Sequence, residues 1–148
     1  MSKEQVLNRI DQEWKTFLDS FAGLSDNILL EPGVVGHWSI RDVLTHLTTW
    51  EEEAQKMLPL ILEGKPTPRY TRYGGIDAFN AQEQERKRHL PLEYVKGELL
   101  TTHQRLLEFL IGVPDSMFSS KSRFYKRLKL DTYNHYREHA PQISKWRS

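Results

Sequence analysis

Apolar residues in this chain recur at three- and four-residue spacing along almost its whole length, and hardly anywhere in strict alternation. Residues three or four apart share one face of an α-helix, which advances about 100° per residue, whereas a half-buried strand alternates at every second position. The pattern specifies packed amphipathic helices and offers nothing from which to build a sheet. At 148 residues the chain has the size of one domain, spanning 1–148, with room for one sizeable core. It contains no internal repeat or low-complexity tract.

The stripes and their caps predict the elements. Ser2 and Gln5 form a capping-box pattern before a first helix whose stripe is Val6, Ile10, Trp14, Phe17, Leu18 and Phe21, ending near Gly23. After the break at EPGVVG, Ser39 with Asp42 caps a second helix, and Trp38 is placed to staple against Val43. Its inward face runs from Ile40 through Val43, Leu44, Leu47, Trp50, Ala54, Met57 and Leu58 to Ile61. Pro59 is predicted to kink it and Gly64 to stop it.

Residues 64–75, GKPTPRYTRYGG, read as an irregular surface loop, followed by a short polar helix capped by Asp77. Pro91 opens a third long helix with the stripe Val95, Leu99, Leu100, His103, Leu106, Leu107 and Leu110, closed by Gly112. VPDSMFSSKSRFYKR reads as a second loop, and a last helix is expected from about Leu128 or Asp131 almost to the C-terminus. Four amphipathic helices with long irregular connections predict an all-α four-helix bundle, a fold that commonly builds metal and cofactor sites from inward side chains on facing helices.

The inward polar residues are mainly histidines. In the last helix the line Leu128, Thr132, His135, His139, Ile143, Trp146 follows the helical repeat, so His135 and His139 lie in the core stripe. In the second helix His46 sits three after Val43 and four before Trp50, on the inward face as well. An i,i+4 histidine pair sets two imidazoles close enough to share a cation. A third from a neighbouring helix would complete a three-ligand site with positions left for water or substrate. Spacing alone leaves a second reading open, in which each imidazole is a half-buried aromatic held by one hydrogen bond.

The same stretch spells H-x-x-E-H, the inverted zinc-protease motif. That motif needs a further ligand downstream, and residues 140–148 supply none, so Glu138 reads as a solvated or ligand-supporting carboxylate. His103, on the third stripe, reads first as a packed core histidine, with a role as fourth ligand or nearby acid–base group as the alternative. His37 and His89 read as surface residues. Glu53, within WEEEA, is a candidate to orient a ligand or take a proton, against the simpler reading of a solvated acidic face.

Composition narrows the chemistry. With no cysteine, the chain has neither disulfides nor a thiol of its own, so any thiol chemistry requires an external thiol. A net charge of +1 argues against a nucleic-acid partner. The basic–aromatic stretch KSRFYKRLK is the one feature that suits single strands. MSKEQVLNRIDQEW lacks the apolar core of an export signal and no apolar run is long enough to span a bilayer, so a cytoplasmic protein with no membrane partner is expected.

GHWSIRDVLTHLTTWEEEA, IDAFNAQ and DTYNHYREHAPQISKW, taken in that order, resemble the DinB-like superfamily, and in particular its branch of ClbS/DfsB-type proteins. The resemblance is strongest at residues 37–54, 77–81 and 131–146. It implies an up-down-down-up bundle, often a homodimer, with a divalent metal, typically nickel or zinc, held by three histidines. The family's ligand positions fall on His46, His135 and His139. It further implies either transfer of a low-molecular-weight thiol to electrophiles or hydrolytic inactivation of a reactive toxin, on a small-molecule substrate in stress or detoxification. Arg69, Tyr70, Arg72 and Tyr73 are placed to form the rim that would hold an anionic thiol or electrophile. The alternative is a non-catalytic dimeric bundle with a structural metal or packed histidines.

Overall fold

The computed structural model describes residues 1–148 and contains seven α-helices: α1 (Lys3–Phe21), α2 (Asp26–Leu29), α3 (Ile40–Leu62), α4 (Ile76–Lys87), α5 (Leu92–Ile111), α6 (Arg123–Asp131) and α7 (Tyr133–Arg147). Two 3-10 turns, Tyr70–Tyr73 and Asp115–Phe118, lie in the connections. There is no strand, only one isolated bridge between Val35 and Trp38. No helix is long and apolar enough to cross a membrane.

Cross-helix contacts fix the topology. Arg9 lies over the Tyr133 ring and Glu13 pairs with Arg137, so α1 and α7 run parallel. Arg41 donates to the Leu90 carbonyl and Gln55 to that of Thr102, so α3 and α5 also run parallel. Lys3 reaches the Ile111 carbonyl while Trp14 stacks on His103, which sets α1 antiparallel to α5. His46 faces His139 while Glu51 bonds Tyr136, which sets α3 antiparallel to α7. The result is an all-α, up-down-down-up four-helix bundle with long connections, in which α6 and α7 together form the fourth arm.

The caps follow local chemistry. Both capping boxes form: Ser2 accepts from the Gln5 amide and Ser39 from that of Asp42, with each partner side chain returning the bond. The stripes fill a continuous core in which Ile10, Phe17, Leu44, Leu47, Leu106, Leu128 and Ile143 are fully buried. Leu100, read with the third stripe, instead points outward and is 54% exposed.

Three expectations are corrected. The second loop ends early, because Ser122 accepts from the Tyr125 amide and starts α6 at Arg123. The last helix is interrupted at Thr132, with φ −120° and ψ −103°, where the Thr132 hydroxyl donates back to the Leu128 carbonyl. From Tyr133, α7 runs through Pro141 to Arg147. Finally, α4 begins at Ile76 behind Gly75, whose φ of 107° suits glycine, so Asp77 sits inside the first turn and does not cap it.

Candidate functional site

α3 and α7 bring the three predicted histidines together. The ring centres of His46 and His135 lie 5.1 Å apart, those of His46 and His139 5.4 Å, and those of His135 and His139 6.1 Å. The two α7 rings are nearly parallel, and His46 meets both at close to a right angle. Trp38 packs on His46 at 4.9 Å and Trp50 on His135 at 6.1 Å, so aromatic side chains flank the cluster. His46 and His139 are buried and His135 is partly so.

Burial sets the protonation. It lowers the His46 pKa from 6.5 to about 3, with the neighbouring His135 and His139 adding to the effect. It lowers that of His135 to about 4, with His139 adding and the Asp131 backbone opposing. These two imidazoles are therefore neutral at physiological pH, the form that ligates metals. The Nδ1 atom of His135 and the Nε2 atom of His139 are buried with no hydrogen-bond partner. At His139 the other nitrogen, Nδ1, lies 2.7 Å from the Gln142 Oε1.

Donor type, protonation and two unpartnered buried nitrogens fit a divalent cation. The rings converge without closing on a common centre, however, and as placed no group of three His, Cys, Asp or Glu side chains is positioned to hold an ion.

A cavity of about 200 Å³ opens against His135. Trp50 and Tyr70 form aromatic walls, Ile76 and Leu130 line its apolar part, and Arg127 and Asp131 supply the charge. The Arg127 Nε donates to Asp131 Oδ2 at 2.7 Å and its Nη2 to the Tyr70 hydroxyl at 2.6 Å. That hydroxyl donates to Glu53 Oε1 at 3.0 Å, and Lys56 completes the chain at 3.1 Å. Burial lifts the Asp131 carboxyl from 3.8 to about 7, outweighing the opposing pull of Arg127. Burial likewise raises the Tyr70 pKa, which keeps the phenol protonated.

Of the predicted rim, only Tyr70 reaches this cavity. Arg69 is exposed, and Arg72 donates to the Tyr73 hydroxyl and lies over that ring. The cation at the cavity comes from α6. Phe124 and Tyr125 of the KSRFYKRLK stretch are core residues and offer no stacking platform for single strands.

WEEEA is not a solvated face. Glu51 bonds His103 Nδ1 at 2.8 Å and the Tyr136 hydroxyl at 2.6 Å, Glu52 pairs with Lys87, and Glu53 holds Tyr70. Glu51 and Glu53 are 2% and 3% exposed. His103 stacks on Trp14 with ring centres 3.7 Å apart and faces Glu51 and Tyr136, so it is a packed core histidine and not a fourth member of the cluster. Glu138 is exposed, as expected of a solvated carboxylate. His37 and His89 are at the surface.

The largest cavity, about 360 Å³, lies elsewhere, between Thr45, Thr48, Lys87, Leu90 and Tyr94. It shares no residue with the histidine cluster, and both of its Lys and Arg side chains are already engaged, Lys87 by Glu52 and Arg86 by Glu83. The histidine cavity has the unspent donors and is the better candidate for chemistry.

Arg127, Asp131, Glu51, Tyr136 and Gln142 were not singled out by the sequence. An Arg–Asp pair at i,i+4 is a helix signal, but it is visible only once Ser122 is recognised as the cap that makes residues 123–131 helical.

The family model of the DinB superfamily matches residues 9–140. The chain belongs to the DinB superfamily. No curated protein matches it. Among solved structures it is similar to an uncharacterised protein of Escherichia coli UTI89, with a TM-score of 0.80 and 16% identity over 98% of this chain and 92% of the other. It is equally similar to the colibactin self-resistance protein ClbS in complex with double-stranded DNA and to the sibling lethal factor precursor DfsB. Each of these gives a TM-score of 0.81 at 14% identity, over 99% of this chain and 95% of the other. At such identity the likeness speaks for the fold.

The expectation of no nucleic-acid partner is corrected by the ClbS complex, in which a protein of this fold holds double-stranded DNA. The expectation rested on a net charge of +1. Net charge sums over the whole surface, whereas phosphate contacts are made by local groups of cations.

Proposed function

We propose that His46, His135 and His139 hold one divalent cation, nickel or zinc, and that the protein is a metal-dependent thiol transferase or hydrolase acting on small electrophiles in detoxification or stress. One observation carries this reading. Imidazoles from two helices turn toward one another, and two of their nitrogens are buried without a partner. The packed core histidine His103 also leaves its Nε2 unpartnered, so it is the convergence of three rings from two helices that carries the reading, and the two free nitrogens add to it.

When bound, such a cation lowers the pKa of a coordinated thiol or water and so supplies a nucleophile at neutral pH. The protein's own residues do the positioning. Gln142 fixes the His139 ring, Trp38 and Trp50 flank the cluster and limit water, and the 200 Å³ cavity admits a molecule beside His135. With no cysteine in the chain, the sulfur of a transferase reaction comes from a low-molecular-weight thiol cosubstrate. The shared fold with a self-resistance protein adds support by analogy only.

Metal analysis of untagged protein tests the reading. About one equivalent of nickel or zinc is expected, reduced in each of His46→Ala, His135→Ala and His139→Ala. Less than about a tenth of an equivalent after metal supplementation, unchanged in the variants, would sink it. Thiol consumption against a panel of electrophiles then divides transferase from hydrolase and from a non-catalytic bundle.

A second reading is suggested by the ClbS complex: binding of double-stranded DNA. Lys121, Arg123 and Lys126 are exposed at the start of α6 and are the cations to replace. A salt-sensitive mobility shift with duplex, weakened in the triple alanine variant, is the expected result; no shift at low salt removes this reading.

A further inference from the structure

We infer that the cavity beside His135 selects an uncharged, compact apolar group carrying a hydrogen-bond-accepting oxygen of the carbonyl type, and that Arg127 is the residue that receives that oxygen. The inference names the substrate class of the site proposed above and rests on that reading only for what happens to the molecule once bound.

Shape comes first. A volume of about 200 Å³ falls below the 300–1,000 Å³ typical of pockets for drug-sized ligands, so it accepts a fragment-sized molecule or one projecting group of a larger one. Trp50 and Tyr70 give it flat aromatic walls. Ile76 and Leu130 line it while being 55% and 57% exposed, so the cavity opens to solvent through apolar side chains. An entering molecule meets apolar surface before it meets any charge.

Arg127 then supplies the polar contact. A guanidinium carries five N–H donors. One is given to Asp131 and one to Tyr70, which leaves three in a side chain that lines the cavity. Its orientation is fixed from three directions, by Asp131, by Tyr70 and by the Trp50 and Tyr70 rings 5.8 and 5.5 Å from the guanidinium carbon. A donor held this firmly loses little freedom when an oxygen arrives.

Charge decides between a neutral and an anionic head. Asp131 and Glu53, both buried carboxyls, already face Arg127 and its partner Tyr70, and Lys56 pairs with Glu53. With Asp131 ionised, the two cations and two carboxylates of this network balance, so an entering anion finds no excess positive charge and meets two like charges. A cation would meet Arg127. A neutral acceptor uses the spare N–H groups without either repulsion.

The test is run on metal-free full-length protein at pH 8, where Asp131 is ionised, so its outcome is independent of whether the histidines hold a cation. Phenylacetamide and phenylacetate, alike in size and different in charge, are titrated while the Trp50 indole N–H is followed by ¹⁵N NMR. The amide is expected to bind with a Kd of roughly millimolar, as suits about ten heavy atoms, and the acid at least about tenfold more weakly. Arg127→Gln is expected to weaken the amide about tenfold. Because removing Arg127 leaves Asp131 without its partner, Leu130→Asp at the exposed lining provides a second variant that preserves the fold and is expected to weaken the amide about fivefold or more. No saturable shift with either probe, an acid that binds as well as the amide, or amide binding unchanged in both variants would each overturn the inference.

Discussion

The Tyr136 hydroxyl donates to the buried Glu51 carboxylate at 2.6 Å, joining α7 to α3 beside the histidine cluster. The two helices are those that carry the proposed ligands, and Tyr136 follows His135 directly in the chain. Glu51 is held in turn by His103, which stacks on Trp14, so the link is anchored through α5 to α1. All four arms of the bundle thus meet behind the histidines through a polar bond in an apolar core.

Removing that hydroxyl should loosen the pair. Tyr136→Phe keeps the ring and withdraws one donor from a buried carboxylate. A loss of about 1.5–3 kcal/mol in urea unfolding is expected, the range for hydrogen bonds to charged groups. If Tyr136 also sets the spacing of the histidines, metal affinity falls further than the matched loss of stability in a distant core variant such as Leu110→Ala. Unchanged metal affinity in Tyr136→Phe would confine the residue to stability.

Acid should destabilise the metal-free protein before its carboxylates are protonated. His46 and His135 have folded-state pKa values of about 3 and 4 against 6.5 when unfolded, so their contribution is present above pH 6.5 and lost as the pH falls toward those values. Asp131 acts in the opposite sense. Its folded value of about 7 against 3.8 means that the folded state holds an extra proton between those limits. Between about pH 4 and 6.5 two withheld protons outnumber one retained, so unfolding takes up a net proton. Stability should fall by about 1.4 kcal/mol per pH unit. Urea midpoints at pH 5 and 6.5 in the presence of a chelator check the slope, and the His46→Phe, His135→Leu double variant should reverse it.

The N-cap of the helix that carries His46 gives a simpler expectation. Ser39→Ala removes an acceptor for the Asp42 amide and leaves half of a capping box. A loss of about 1 kcal/mol is expected, with an unchanged m-value. A fall in m would mean that the α3 entrance is disordered in the variant rather than merely weakened.

What the sequence made legible follows from how local each signal is. The Ser2 and Ser39 boxes depend on residues three apart, and the inward phase of His46, His135 and His139 on helical geometry alone, so both could be read without tertiary information. Thr132 could not, because its φ and ψ are imposed by packing and by a back-bond to Leu128. Glu51 and Glu53 looked solvated because three adjacent glutamates usually are. Their partners His103, Tyr136 and Tyr70 come from other elements, and only the fold reveals them. The same holds for the cavity cation: the pattern points to Arg69 and Arg72, whereas Arg127 lies in a stretch whose helical character depends on the Ser122 cap.

Gln142 provides the sharpest separation of site from scaffold. It lies three residues after His139 on the same face of α7, and its Oε1 sits 2.7 Å from His139 Nδ1. With the proton on Nδ1, that nitrogen donates to the amide oxygen and Nε2 keeps a lone pair, and Nε2 is the atom buried without a partner. A partner of this kind fixes both the tautomer and the plane of a ligating ring, and its loss typically costs 10–100-fold in metal affinity. Gln142→Leu preserves volume near the helix surface, so the melting temperature of the metal-free protein should move by only a few degrees, while metal affinity drops by at least about tenfold. The ¹⁵N shifts of His139 should report the Nδ1–H tautomer in the wild type and a mixture in the variant. A wild-type ring protonated at Nε2 would remove the lone pair this geometry offers and with it the assignment of His139 Nε2 as a ligand atom.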